Sequence, residues 1–366
     1  MTLDELLGVG PYSLPRREKQ ALLVEHLNAL TAHHAARCRP YRRILDAYGY
    51  RDKGLSWAAV EEMPYLPIGL FKEFALKSIP DGDVIKTLTS SGTTGQKVSR
   101  IFLDKETSRR QTRALSAIMQ DFIGGKRLPM LIIDTPNVIK DRTLFSARGA
   151  GILGLSNFGR DHLYVLDDHM RLKVDDLKKF LLAHPDEPIL LFGFTFMVWQ
   201  HFYEELKATS ADIDLTRGVL IHSGGWKKLT DKSVDNAAFK KALRAVCGIT
   251  RIHNFYGMVE QIGSIYMEGD SGYFQTPVFS DIIIRDPYDW SVLPAGREGV
   301  IELVSILPLS YPGHALLTED LGRVVGEDDS PDGRRGKYFE VLGRVPKAEI
   351  RGCSDTYAEE AAARGV

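Results

Sequence analysis

The chain has 366 residues, more than one hydrophobic core usually spans, so two or more subdomains are expected. Its 44% hydrophobic and 26% charged content is that of an ordinary globular protein, and a net charge of −1 gives no global field to draw nucleic acid or an anionic membrane. No run reaches the roughly 18 apolar residues of a membrane span, MTLDELLGVG lacks the pattern of an export leader, and three cysteines without CxxC spacing argue against a disulfide framework or a zinc site, so a cytoplasmic location is expected.

The first element covers 13–45, SLPRREKQALLVEHLNALTAHHAARCRPYRRIL, where Leu22, Leu23, Leu27 and Leu30 recur at helical spacing. Ser13 with Pro15 just inside suits a helix start, and Pro40 ends or breaks the first helix. His33, His34 and Cys38 lie close together, but an i, i+4 His/Cys pair alone is a poor zinc set, so packing on a larger body is expected. MPYLPIGLF, 63–71, reads as a Pro-punctuated apolar linker.

The next stretch, TLTSSGTTGQKVSR at 87–100, is dense in hydroxyls, glycines and backbone N–H groups, with one cation. Such a loop suits a polyphosphate: amides and hydroxyls fill the oxygen lone pairs while Lys97 offsets charge. It is not a Walker loop, because the count from Gly92 reaches Lys97 where GxxxxGK[ST] requires Gly.

Short apolar runs at 130–134, 189–193, 218–222, 251–256 and 300–305 alternate with helical patterns such as 173–184 and 233–246. This predicts an α/β protein with a largely parallel central sheet. GAGILG, 149–154, satisfies GxGxxG, and Asp167 falls near the offset of a ribose-binding acid. The preceding TLFSAR makes a poor buried strand and Gly159 interrupts the crossover helix, so dinucleotide binding is set aside. FGFTFMVWQHF, 192–202, either lines an acid pocket or forms an ordinary core helix. From about residue 273 strand-like runs and turns dominate, predicting a β-rich subdomain, with GEDDSPDGRRGK, 326–337, as a polar turn.

Three stretches matter jointly: SGG at 223–225 and NFYGMVE at 254–260, each after a strand-like run, and TEDLGR at 318–323. Each alone reads as structural. In this order, with these separations, they resemble the adenylate-forming enzyme superfamily of acyl- and aryl-CoA ligases, peptide adenylation domains and luciferases. TSSGTTGQK is similar to its phosphate loop, Gly224 and Gly225 to its GG turn, and Tyr256-Gly257-Met258-Val259-Glu260 to YGxTE. The run from Pro294 to Leu303 looks like PxGxxGxIxL, that from Leu317 to Arg323 like (Y/T)xTGDLGR, and that from Gly343 to Gly352 like GRxxxxIxxRG.

The resemblance implies an α/β adenylate-forming large-domain fold, with mixed and parallel sheets sandwiched by helices and a smaller β-rich subdomain. The expected divisions are a helical segment at 1–60, the α/β body at 61–272, the β-rich part at 273–342, and a hinge-like motif with a tail at 343–366. It further implies that Ser90, Ser91, Gly92, Thr93, Thr94, Gly95 and Lys97 hold the β- and γ-phosphates of ATP. Tyr256 would stack on adenine, framed by Gly224, Gly225 and Gly257. Glu260 would coordinate Mg²⁺, Asp320 would accept the ribose hydroxyls, and Arg344 would also reach the ribose. The implied reaction is attack of a substrate carboxylate on the α-phosphate, giving an acyl-adenylate and pyrophosphate.

Two residues depart from the pattern: Val259 stands where a Thr is usual and Gln96 replaces a Pro. Superfamily members continue beyond the equivalent of Gly352 into a mobile domain with an adenylating Lys, and the fourteen residues after Gly352 carry no counterpart. One branch is similar in this respect, the LuxE-type acyl-protein synthetases, whose tail bears an acyl-accepting cysteine. SLPRREKQALL, MPYLPIGLFK and EVLGRVPKAEIRGCSDTY look like that family, and Cys353 falls where its acyl-carrying cysteine would. The implied partners are a fatty or aryl acid and an acyl-reductase or other acyl-accepting protein. Two further readings stay open: an adenylating enzyme of a secondary-metabolite pathway that hands the acyl group to CoA or a carrier, and a non-catalytic carboxylic-acid binder.

Overall fold

The computed structural model describes residues 1–50, 54–90, 98–140, 147–225 and 234–345. The chain opens with helices α1 (Leu3–Leu6), α2 (Arg16–Arg37) and α3 (Arg39–Ala47), then a short strand β1 (Leu66–Pro67) and the single turn α4 (Leu70–Glu73). A hairpin of β2 (Lys86–Thr89) and β3 (Arg100–Leu103) leads into α5 (Lys105–Ile123) and β4 (Leu128–Ile132). There follow α6 (Asn137–Lys140), α7 (Ala147–Ser156), β5 (Gly159–Tyr164), α8 (Val174–Ala183), β6 (Ile189–Phe194), α9 (Thr195–Met197) and α10 (Glu204–Thr209). Next come β7 (Gly218–Ser223), α11 (Asn236–Cys247) and β8 (Arg251–Tyr256). The remainder is strand: β9 (Tyr266–Met267), β10 (Phe274–Gln275), β11 (Ser280–Arg285), β12 (Gly299–Ser305), β13 (Ala315–Glu327) and β14 (Lys337–Arg344).

Local chemistry sets the helix ends. Asp104 accepts from the Thr107 amide at 2.7 Å to start α5, and Asp235 does the same for Ala238 at the start of α11. Pro40 lies in the first turn of α3, and the break itself falls two residues earlier, at the extended residue Cys38.

The first sheet runs β5-β4-β6-β7-β8-β9, parallel except for the antiparallel edge strand β9. Alternate residues face opposite sides. Met130, Ile132, Leu190, Phe192, Val219 and Ile221 join one core cluster with Ile118 and Phe122 of α5. Leu131, Ile133, Leu191 and Leu220 join another with Leu177, Leu206, Phe239 and Leu243 of α8, α10 and α11. Burial on both faces is why these strands read as unbroken apolar runs in the sequence.

The second sheet runs β10-β14-β13-β12-β11, all antiparallel. Residues 63–71 are more than a linker: β1 pairs in parallel with β13, Leu66 opposite Leu316 and Pro67 opposite Leu317, and the Ile68 amide donates to the Leu317 carbonyl at 2.9 Å. Helix α2 is tied to the same sheet by a buried charge cluster. The Lys19 ammonium lies 3.5 Å from one Asp281 oxygen, Lys337 lies 3.1 Å from the other, and Lys19 also donates to the Thr276 hydroxyl at 2.7 Å.

Candidate active site

Parallel β6, β7 and β8 place their carboxyl ends along one edge of the first sheet, where open α/β sheets build ligand sites. Strand β7 ends at Ser223, whose hydroxyl donates to the Phe255 carbonyl at 2.8 Å and fixes the exit of β7 beside β8. Gly224 follows with φ +87°, and a Cβ there would lie 3.1 Å from the Phe194 ring. Both the left-handed backbone and the ring call for glycine. A Cβ on Gly225 would meet nothing within 4 Å, so its backbone stays open.

Strand β8 ends at the half-buried Tyr256, packed on Phe274 and Phe339 at 6.3 Å between ring centroids. Its hydroxyl donates to Asp320 at 2.7 Å. Burial first, and the Asp320 charge second, hold the Tyr256 hydroxyl far above its ordinary pKa, so it remains a donor. Asp320 stands on β13 directly opposite Arg344 of β14, whose Nε lies 3.7 Å from the second carboxylate oxygen. The Arg344 side chain is 81% exposed and therefore displaceable. Gly257 follows Tyr256, and a Cβ there would press on Ile265 at 3.2 Å.

Glu260 sits on the single helical turn Val259–Gln261 just beyond β8. The Gln261 side chain anchors that turn to the second sheet, its Nε2 donating to the Leu303 and Gly313 carbonyls at 3.1 and 2.9 Å. The Glu260 carboxyl is buried; burial raises its pKa, opposed mainly by the Ser99 hydroxyl and, more weakly, by the charge on Lys72. The Ser99 hydroxyl is itself buried and makes no well-formed hydrogen bond among the described residues. Ser90 and Ser99 close the base of the β2–β3 hairpin loop, with the Ser90 amide donating to the Ser99 carbonyl at 3.2 Å and the Ser99 amide to the Ser90 hydroxyl at 3.0 Å. The Ser/Thr/Gly loop is thus held at its base beside Glu260. Ser91, Gly92, Thr93, Thr94, Gly95 and Lys97 lie outside the described residues, as does Cys353.

Of the candidate residues, Ser90, Gly224, Gly225, Tyr256, Gly257, Glu260, Asp320 and Arg344 are described, and they come together where the two sheets meet. Sequence reasoning passed over Ser99, Lys72 and Asp134. Asp134 follows the end of β4, buried, with Arg148 of α7 3.1 Å away; burial raises its pKa against the pull of Arg148. An acid closing the apolar run MLIID was the available signal. GAGILG lies inside α7 and forms no strand-to-helix turn, and a Cβ on Gly151 would lie 3.1 Å from the Phe194 ring. Within FGFTFMVWQHF, Phe192, Met197, Val198, Trp199 and Phe202 are buried in the core, while Phe194 is half-buried beside Gly151 and Gly224. Cys38 and Cys247 are buried, and burial raises both thiols, Cys247 to about 11.

Comparison with known proteins places this geometry in context. The family model described as "Acyl-protein synthetase, LuxE" matches residues 2–362. A long-chain-fatty-acid–luciferin-component ligase of Vibrio harveyi is 23% identical over 364 residues, spanning 96% of this chain and 92% of the relative. The protein of the same name from Aliivibrio fischeri is 22% identical over 310 residues, spanning 81% of this chain and 78% of the relative. Among solved structures, 2-hydroxyisobutyryl-CoA ligase in an open conformation with 2-HIB-AMP and CoA superposes with a TM-score of 0.70 at 15% identity, covering 92% of this chain and 72% of the other. The fold is that of the adenylate-forming enzymes.

Proposed function

The chain belongs to the LuxE acyl-protein synthetase family, and from that premise we propose that it activates a long-chain fatty acid with ATP and passes the acyl group, through a thioester on its own Cys353, to a partner reductase. The observation that carries the reading is the meeting of Tyr256, Asp320 and Arg344 with Glu260, Ser90 and Ser99 at the junction of the two sheets. The relatives' names, which state a long-chain fatty acid as the acid ligated, support the substrate class.

In this mechanism Asp320 accepts the ribose hydroxyls, Arg344 reaches the same sugar, and the Tyr256 ring, with Gly224, Gly225 and Gly257 around it, takes the adenine face. The loop from Ser90 to Gly95, with Lys97, holds the β- and γ-phosphates. Glu260 fits Mg²⁺: a buried carboxyl with a raised pKa benefits from a neighbouring cation, and the unsatisfied Ser99 hydroxyl is a second hard oxygen. The ion, when bound, offsets the negative charge that builds on the phosphates. A carboxylate oxygen of the acid attacks the α-phosphorus, the bond from that phosphorus to the bridging oxygen breaks, and pyrophosphate leaves. The Cys353 thiolate then attacks the acyl carbon, AMP leaves with the electrons of the broken C–O bond, and the thiol proton passes to solvent.

Two features support Cys353 as the acceptor. Cys38 and Cys247, buried with raised thiols, are poor nucleophiles. Arg344 stands at Asp320 and precedes Cys353 by nine residues, a reach of up to roughly 30 Å for extended chain.

The test is incubation with Mg-ATP and radiolabelled tetradecanoic or aryl acids, followed by a denaturing gel. Hydroxylamine-sensitive label on the wild type but not on Cys353→Ser is expected, with tetradecanoic acid preferred. Acid-dependent pyrophosphate exchange without label would sink the thioester step and favour transfer to CoA or a carrier. Acid binding with neither exchange nor label would make the protein a binder only. Lys97→Ala and Glu260→Ala are each expected to abolish the exchange.

A further inference from the structure

We propose that Arg148, on α7, binds the carboxylate of the acid substrate, with the buried Asp134 holding its guanidinium in place; the inference rests on the acid-activating function proposed above.

Strands β4, β6, β7 and β8 run parallel, so Asp134, two residues past the end of β4, lies along the same carboxyl edge as Phe194, Ser223 and Tyr256. Arg148 reaches that edge from α7. Three residues on, and so on the same helix face, Gly151 packs against Phe194: a Cβ there would lie 3.1 Å from the ring. A Cβ on Gly224 would lie 3.1 Å from the same ring. One aromatic side chain thus spans from the Arg148 face of α7 to the turn proposed to frame adenine.

The contact between Asp134 and Arg148 is a tether more than a closed ion pair. Asp134 is 1% exposed, and one of its oxygens accepts from the Thr135 amide at 2.8 Å. The other lies 3.1 Å from Arg148 Nε, yet these two buried atoms make no well-formed hydrogen bond with each other or with any described residue. The guanidinium donates from Nη1 to the Met197 sulfur at 3.8 Å, and a thioether is a weak acceptor. Charge attraction therefore keeps Arg148 at the edge while its planar fork of donors suits a stronger anion, and a carboxylate matches that fork. The neighbours favour a carboxylate with an apolar chain over a phosphate, since Met197 is buried in the core and Phe194 half-buried. Adenylation also needs a cation here: the carboxylate and the α-phosphate are both negative, and the proposed function uses Arg344 at the ribose and Lys97 at the outer phosphates.

The test titrates wild type, Arg148→Lys, Arg148→Gln and the double variant Asp134→Asn with Arg148→Gln, by calorimetry, with tetradecanoic acid and with tetradecan-1-ol. The double variant removes both charges and leaves no buried carboxylate unpaired, so it keeps the fold if the single variant does not. It is expected to bind the acid at least about tenfold more weakly than wild type and the alcohol within about twofold, with Lys recovering part of the loss. In pyrophosphate exchange the KM for the acid is expected to rise and that for ATP to stay. Unchanged acid affinity overturns the proposal. So does an equal loss for acid and alcohol, which marks a structural role, and so does a loss confined to ATP. The parent function fails separately: a wild type without acid-dependent exchange refutes adenylation, while the comparison of acid with alcohol still decides the role of Arg148. A wild type that binds neither compound overturns this inference whatever the exchange shows.

Discussion

Both oxygens of Asp320 are engaged, one by the Tyr256 hydroxyl at 2.7 Å and the other by Arg344 at 3.7 Å. A ribose must compete with these contacts, and the weaker one is to an exposed side chain. Asp320→Asn removes the charge that makes its hydrogen bonds strong, so the KM for ATP in pyrophosphate exchange is expected to rise at least tenfold. Tyr256→Phe keeps the ring and frees one oxygen, so a change of less than about threefold is expected. Equal effects in the two variants would show that the hydroxyl, and not the ring, is what the site uses. Tyr256, Glu260 and Asp320 were legible in the sequence as candidates because each lies inside a recognisable motif, Tyr256 at the end of β8, Glu260 on the turn after it and Asp320 within β13. Ser99 was not, since its relation to Glu260 spans two elements distant in sequence and leaves no local pattern.

At the scale of elements, legibility followed burial. Strands β4, β6 and β7 are covered on both faces and so announce themselves as continuous apolar runs. Strand β1 did not, because it is two residues long and contains Pro67, a residue that argues against sheet. The thirteen residues of β13 were obscured by Gly322 and Gly326, both of which its packing demands: a Cβ at either would fall within 2.6 Å of a neighbouring atom. The join between α2 and the second sheet was hidden too, because nothing in the sequence says that Lys19 is buried. Asp281 pairs with two lysines there, so Asp281→Asn leaves Lys19 buried without its ion-pair partner and Lys337 with only Glu61 at 4.0 Å, and is expected to lower unfolding free energy by roughly 3–5 kcal/mol, measured by urea titration. A loss below about 1 kcal/mol would mean that water reaches the cluster.

Across the whole molecule, four buried histidines are held neutral. Burial pushes His222 and His314 down to about 3, His253 to about 4, and His34 well below its ordinary value. Each binds a proton more readily in the unfolded chain, so its contribution to stability is complete above about pH 6.5 and is lost as pH falls below that value toward the folded pKa. Raised carboxyls work in the opposite sense: burial lifts Glu302 to about 7 and raises Glu260, and each takes up its proton more readily when folded. A single substitution separates the two effects. His314 accepts or donates at Thr31, 2.9 Å away, and stacks on His34. His314→Gln is expected to lower stability at pH 7.5 yet to flatten its decline between pH 6.5 and 5 by on the order of 1 kcal/mol per pH unit. Parallel pH profiles for the two proteins would refute the neutral, buried assignment.

The ties that hold α2 to the second sheet have a temporal side. Lys19 bonds to Thr276 across 257 residues of chain, and the Arg16 amide to Asp328 across 312. A polypeptide emerging from a ribosome exposes the apolar face of α2, with Leu23, Leu27 and Leu30, long before the strands that cover it exist. Closure over such separations is slow, and the waiting helix is a surface on which chaperones can act. The contact of Tyr256 with Asp320 spans 64 residues and joins the two sheets, so it too forms only after the strands of the second sheet have been made.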